Sequence, residues 1–504
     1  MKKAIAFKVT FLFVFIILLG GRLLLSGTGY LDDPDEYVYH FLLYFYDGIS
    51  SFDPYYWCKA NFHNNFFPME VFIRLLQSKV AAYYAAYLEL PPDHVRVMIV
   101  PGLFNILVSL GNIFLVYKIL IKLHFDQKLA LLGILVYGTF LSTNIYTRHI
   151  LPYENSYFFV LLCIYFIIQE RFTFKLLFLA GFFFACAYAT YFGFFLTYFV
   201  GIGYIVFSQP LKNWKNTLKQ VTYFTLPVVI YVLTFDLISR IYFDQSYILY
   251  TLNFTSTIYQ GSYSEGLVYA FLYMFKVEKI WGLVFLLSAL VGIYLIIRNE
   301  GKSALKKLML IYLLIYLLFG LNAVLLEGMV VYGRVFRMYY LPLLLGFLYL
   351  LKQLDEKKRM YLYFLIPIAA LVNYGFIIQD LNSLAYPRCE IQKHGFISNS
   401  KTNVHIDYME SLTCGLTYKA NEQFTGVEES GLKPGSYVFQ NACFFQHDGD
   451  LSQVYKPLPP TDGEIMFQKK HFMSHPAYTF EYCSKEGRKQ LLSDSLFITL
   501  IKTD

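Results

Sequence analysis

The first 378 residues alternate long apolar runs with short clusters of Lys and Arg, and this pattern limits what the chain can become more than any other feature. Inside a bilayer such a run has no water to satisfy its backbone, so its N–H and C=O groups must bond within the segment, which leaves a helix. Candidate runs cover about 9–27, 95–117, 129–146, 153–169, 176–191, 193–208, 221–239, 280–297, 308–326, 338–351 and 361–378, roughly eleven spans, some of them short for a bilayer. Composition agrees, since 57% of the residues are hydrophobic and 15% charged, against about 25% charged in soluble domains. The net charge of +7 sits mostly in the clusters between runs, which is a signal of topology and not a nucleic-acid-binding face.

Met1-Lys2-Lys3 and Lys8 precede the first run, which is long enough to span and carries no small-residue cleavage site. It reads as an uncleaved anchor with a cytoplasmic N-terminus. Alternation then puts every later basic cluster in the cytoplasm: Lys118, Lys122 and Lys128; Arg171 and Lys175; Lys212, Lys215 and Lys219; Arg298, Lys302, Lys306 and Lys307; Lys352, Lys357, Lys358 and Arg359. The odd number of spans leaves the loop 28–94 and the tail 379–504 outside. The expected architecture is an all-α polytopic membrane domain of about eleven transmembrane helices over 1–378, followed by a small extracytoplasmic α/β or mostly β domain over 379–504. In the tail, Gly431-Leu432-Lys433-Pro434-Gly435 marks a turn, and 436–446, 464–473 and 495–502 read as strands. Cys389, Cys414, Cys443 and Cys483 lie there, and two disulfides are expected with the pairing open; Cys163 and Cys186 fall within spans as small apolar residues.

The external loop opens on Asp32-Asp33-Pro34-Asp35-Glu36, four carboxylates in five residues. A helix start accounts for part of it, with Asp33 as N-cap, Pro34 at the first helical position and Glu36 completing an acidic capping box. Asp32 and Asp35 are left over. Glu36 and His40 fall one turn apart on the helix that follows, and 68–88 reads as a second helix along the membrane surface. Two more polar patches sit where runs emerge on the same side: Arg148-His149 with Glu154, and Arg334 one turn before Arg337. An isolated Arg would snorkel to lipid headgroups, whereas two on one face could clamp a phosphate.

These stretches resemble the GT-C glycosyltransferases, especially the mannosyltransferases of glycolipid-anchor and N-glycan assembly and their bacterial relatives. Pro34-Asp35-Glu36-Tyr37 is similar to the family's signature in the first luminal loop, and Thr147-Arg148-His149-Ile150-Leu151-Pro152-Tyr153-Glu154-Asn155 to its Arg-containing entry to the fourth span. The stretch 179–195, with Ala180-Gly181 and Ala187-Tyr188-Ala189-Thr190, and Arg337-Met338-Tyr339-Tyr340-Leu341-Pro342 resemble two later motifs. The resemblance covers about residues 1–378. Tyr332-Gly333-Arg334 stands where the eukaryotic mannosyltransferases carry His-Lys-Glu, which leaves the branch and the sugar open.

The resemblance implies transfer of a hexose or pentose from a polyprenyl-phosphate donor to an extracytoplasmic glycan, glycolipid or protein acceptor, with inversion. Asp35 would be the base with Glu36 or Asp32 in support, since such a transfer needs a carboxylate at the acceptor hydroxyl and cations on the leaving phosphate. Arg334, Arg337 and Arg148 would contact that phosphate, and Asp33, His40, His149 and Tyr340 the acceptor or sugar. No cofactor is called for, and a divalent metal stays open. The expected partners are the lipid-linked donor, the acceptor and the bilayer, with no nucleic acid. The expected location is a bacterial inner membrane, or the endoplasmic reticulum in a eukaryote. The rival is a polytopic transporter or flippase of lipid-linked glycans, which would place ionisable residues near the midplane.

Overall fold

The structure, a computed structural model, describes residues 2–26, 55, 68–90, 97, 99–148, 152–169, 171–210, 213–258, 266–301, 303–325, 333–385, 404–406, 424–426, 437–441, 463–471, 474–482 and 497–502. Asp32, Asp33, Asp35, Glu36, His40 and His149 lie outside them, as do Cys58 and the four tail cysteines.

The described chain is predominantly helical. α1 is Lys2–Ser26 and α2 is Pro68–Tyr87, whose proline stands at the first position where no N–H is needed, with Glu70 in the positive first turn. α3, Ile99–Lys122, ends with Lys122 in its negative last turn. α4, Gln127–Gly138, starts where Asp126 accepts the amides of Lys128 and Leu129, both at 2.9 Å. There follow α5 (Tyr153–Ile167), α6 (Phe174–Thr190), α7 (Leu196–Ser208), α8 (Trp214–Phe243), α9 (Tyr247–Ile258), α10 (Tyr269–Lys276), α11 (Lys279–Asn299) and α12 (Ala304–Leu325). α13 is the segment Gly333–Gln353, in which Arg337–Tyr339 form a turn of 3-10 helix, and α14 is Glu356–Asn382.

Seven of these helices, α1, α3, α8, α11, α12, α13 and α14, are long and apolar enough to cross a membrane, and α4 with the turns after it makes an eighth if a bent pair is counted. The expected runs at 153–169, 176–191 and 193–208 correspond to shorter apolar helices, and the reversal expected at Tyr191 to Gly193 is a 3-10 turn at Phe192–Phe194. The run 129–146 is not one straight helix but a bent pair, a broken span or a re-entrant loop. The chain bends by 84° after Gly138 and continues as 3-10 turns at Leu141–Thr143 and Ile145–Arg148.

α13 is the hub, with 89% of its apolar window buried inside the protein. It lies so close to α11 that a Cβ on Gly292 would stand 1.8 Å from the Gly346 carbonyl oxygen, a backbone contact that only glycine permits. α6 meets α8 in the same manner through Gly181 and the Phe224 carbonyl.

The described strands of the tail form a small mixed sheet. They are β1 (Leu384–Ala385), β2 (Val404–Ile406), β3 (Phe424–Gly426), β4 (Tyr437–Asn441), β5 (Glu464–His471) and β6 (Phe497–Lys502), in the order β1-β5-β6-β4-β2-β3. β6 runs antiparallel to both β4 and β5, and the remaining pairs are parallel. β1 begins two residues after α14 ends, so the sheet is joined to the bundle through that helix. A short helix, α15 (Pro476–Tyr482), packs back against α10 and the start of α13.

Candidate functional site

The bundle has a basic end and an end where buried acids and arginines meet. At the first, Lys122 donates to the Tyr165 carbonyl and Lys307 to Ser208, which brings the expected cytoplasmic clusters together. At the second, the break after α4 is surrounded by charged side chains. Bending a helix by 84° strips carbonyls and amides of their partners, and each left unpaired in an apolar interior would cost several kcal/mol.

The carbonyls are taken by Arg22, which is 0% exposed. Its Nη1 donates to Gly138 O and Leu18 O at 3.3 Å each, Nη2 to Thr143 O at 3.4 Å, and Nε to Ser109 Oγ at 3.0 Å. Asn144 Nδ2 adds bonds to Gly138 O (3.0 Å) and Phe140 O (2.6 Å), and the Tyr374 hydroxyl donates to the side-chain Oδ1 of Asn144 at 3.0 Å, which orients that amide.

The amides are taken by Glu278, 1% exposed, in the two-residue link between α10 and α11. Its carboxylate accepts Leu141 N (2.8 Å), Ser142 N (2.9 Å), Ser142 Oγ (2.6 Å) and the Tyr340 hydroxyl (2.9 Å). The Tyr273 hydroxyl completes the group 2.9 Å from Ser142 Oγ. Arg22 and Glu278 thus clamp one broken helix with opposite charges.

Beside the break, Glu154 opens α5 and meets Arg337 in a two-pronged ion pair, Nη1 to Oε1 at 2.5 Å and Nη2 to Oε2 at 2.8 Å, with side chains 0% and 1% exposed. Asn112 Nδ2 donates to Glu154 Oε2 at 2.9 Å, and the Tyr157 and Tyr146 rings lie 4.8 and 5.8 Å from the guanidinium. Arg334 is half-buried, bonded to the Tyr153 hydroxyl and stacked 4.7 Å from its ring.

The structure therefore brings Arg334, Arg337 and Tyr340 to one end of the bundle, with different surroundings from those expected. The fork of Arg337 is occupied by Glu154, and the Tyr340 hydroxyl belongs to the Glu278 network, so neither faces an open site here. Arg148 ends the 3-10 turn at Ile145–Arg148, which packs against α1. Sequence reasoning missed Arg22 and Glu278. The available signal for Arg22 was an ionisable residue within the apolar run 9–27, whereas Glu278, in the link between 266–276 and 279–299, gave none.

An apolar cavity of about 640 Å³ opens on the flank of the bundle between α2, α6 and α8, lined by residues that include Met69, Phe72, Phe182, Ala189, Ile230 and Phe235. Among the described residues no three His, Cys, Asp or Glu side chains converge as a metal site would require. No family model matches the chain, and no curated protein or solved structure does either.

Proposed function

We propose that this chain is an integral-membrane glycosyltransferase that moves a sugar from a polyprenyl-phosphate donor to an extracytoplasmic acceptor. The observation that supports the reading is that α1, which leads into the acidic stretch, packs at the arginine-bearing end of the bundle. The stretch Asp32-Asp33-Pro34-Asp35-Glu36 starts six residues after α1 ends, and α1 packs against the turn bearing Arg148, close to the Arg337 and Glu154 pair. Six residues reach at most about 20 Å, so Asp32 starts within that distance of the end of α1, and Asp35 follows three residues later. In the reaction the acceptor hydroxyl attacks the anomeric carbon, the carbon–oxygen bond to the phosphate breaks, polyprenyl phosphate departs, and Asp35 takes the hydroxyl proton. Arg334 and Arg148 meet the phosphate, whereas Arg337, held by Glu154, orients that end of the bundle. The flank cavity would receive part of the donor's isoprenoid chain, in keeping with its apolar walls. The tail is read as an extracytoplasmic module.

The test is transfer of radiolabelled hexose from synthetic polyprenyl-phosphate donors in membranes, with lipid-linked glycans compared by mass spectrometry in cells with and without the gene. Asp35→Asn should lower transfer by about 10² to 10⁴-fold with donor still bound, because an amide cannot accept the proton. Asp33→Asn should be mild, since Asn caps a helix nearly as well as Asp. Equal activity of both variants would remove Asp35 from the mechanism.

A second reading, a flippase of lipid-linked glycans, is favoured by the broken helix and its buried charges, features common where transporters bind substrate. It calls for movement of a lipid-linked glycan across vesicles without a new covalent product.

A further inference from the structure

Among the described residues, a compact contact fastens segment 474–482 to the bundle, and it adjoins the clamp on the broken helix. Lys279 Nζ and His475 Nε2 both approach Asp380 Oδ2, at 3.0 and 3.2 Å, so three segments meet on one carboxylate: the start of α11, the last turn of α14, and the residue before α15. The imidazole is 3% exposed. Its other nitrogen, Nδ1, accepts the amide of Ala477 at 3.2 Å.

Those two contacts fix the protonation state. A nitrogen that accepts an N–H cannot carry a proton of its own, so Nδ1 is bare and Nε2–H donates to Asp380. The ring seated here is neutral. A proton on Nδ1 would set two N–H groups head to head and break the bond that starts α15.

The same short helix is pressed on the bundle by Phe480, whose ring lies 5.8 Å from Tyr269 and 5.7 Å from Tyr273, and whose carbonyl accepts the Tyr269 hydroxyl at 3.4 Å. Tyr273 in turn reaches Ser142 on the broken helix. A second line of contact runs through the link between α10 and α11. Lys279 adopts φ of 59°, a left-handed conformation that an L-residue enters only at a cost, and its side chain reaches Asp380 while the neighbouring Glu278 reaches inward to Leu141 and Ser142. Adjacent residues therefore hold the carboxylate that seats His475 and the break.

We propose that the segment 474–482 is a proton-sensitive brace for the broken helix: with His475 neutral it is seated and steadies the turn from Leu141 to Arg148, and protonation at Nδ1 unseats it and loosens that turn. The groups facing the imidazole among the described residues are Asp380 from α14, Lys279 from α11, Lys470 from β5 and the ring of Tyr478 on α15. Burial lowers the His475 pKa below its usual value; Asp380 opposes this, Lys279 and Lys470 add to it, and the net shift is downward. For a group whose seated form resists the proton, the released form binds more protons, so seating is at full strength above the ordinary histidine pKa of about 6.5 and weakens as pH falls below it. The proposal concerns the coupling of tail and break, and stands or falls independently of the reaction catalysed.

Hydrogen exchange on the full-length protein in detergent tests it, with protection corrected for intrinsic exchange. Between about pH 7.5 and about pH 5.5, protection in 474–482 and in 139–148 should fall together by about tenfold, the factor expected for a site that cannot take the proton while seated. His475→Gln should abolish the pH response, and Phe480→Ala should lower protection in both segments already at the higher pH. Wild-type protection that does not change with pH, an undiminished response in His475→Gln, or loss confined to 474–482 would each overturn the proposal.

Discussion

Glu154 and Arg337 stand 183 residues apart in the chain, and each is the other's main reason for being buried. Glu154→Gln would leave a guanidinium without a counter-charge in a site 1% exposed, a change that costs about 3 to 5 kcal/mol when one partner of a buried pair is removed. The double variant Glu154→Gln with Arg337→Met should recover most of that loss, because the unpaired charge goes with it. Thermal unfolding of the purified variants checks both expectations, and a harmless single variant would mean that the pair does not hold this end of the bundle. The sequence marked Arg337 as notable and read it as a phosphate ligand, since a lone chain cannot show which carboxylate lies across a helix interface. It marked Glu154 only as a neighbour of Arg148, and Glu278 not at all, because one acid beside one lysine reads as an ordinary loop between two apolar runs.

At the level of helices, hydropathy located most of the runs because lipid-facing and buried surfaces are both apolar and one pattern serves for either. It missed the break inside 129–146. Nothing in the local sequence announces the 84° bend, since the groups that stabilise it come from α1 and from the link before α11, 116 and 137 residues away. The strands in 437–441, 464–471 and 497–502 fell within the stretches read as strands, whereas helices α9 and α10 passed unnoticed between the apolar runs. The glycine contact of α11 with α13 gives an element-scale prediction. Gly292→Ala should destabilise by about 1 to 3 kcal/mol or more, because its methyl would meet the Gly346 carbonyl and the two backbones would have to part. Gly375→Ala on α14, with nothing within 4 Å of the new methyl, should be neutral or stabilise by about 0.5 to 1 kcal/mol. Unfolding of the pair in parallel separates contact from helix propensity, and equal behaviour would place no weight on the close approach.

For the whole molecule, the basic end should face the cytoplasm and the end bearing Arg334 and Glu278 the opposite side. Reporters active only after export should therefore be active when fused at residues 60 and 450 and silent at 213. A cytoplasmic signal at 450 would mean one span too many or too few. The placement of α13 also bears on how such a chain is made. Its mean hydropathy is 1.3 against 2.6 for α11, and 89% of its window is surrounded by protein. A segment of that kind gains little by partitioning into lipid on its own as it leaves the ribosome. The helices that pack along its length, α4, α11 and α12, precede it in the chain, and only the short α15 at its start comes later among the described helices, so by the time it emerges most of its berth can already be standing. Synthesis from N- to C-terminus then supplies the order of assembly, and the hub of the finished bundle is among its last pieces to arrive.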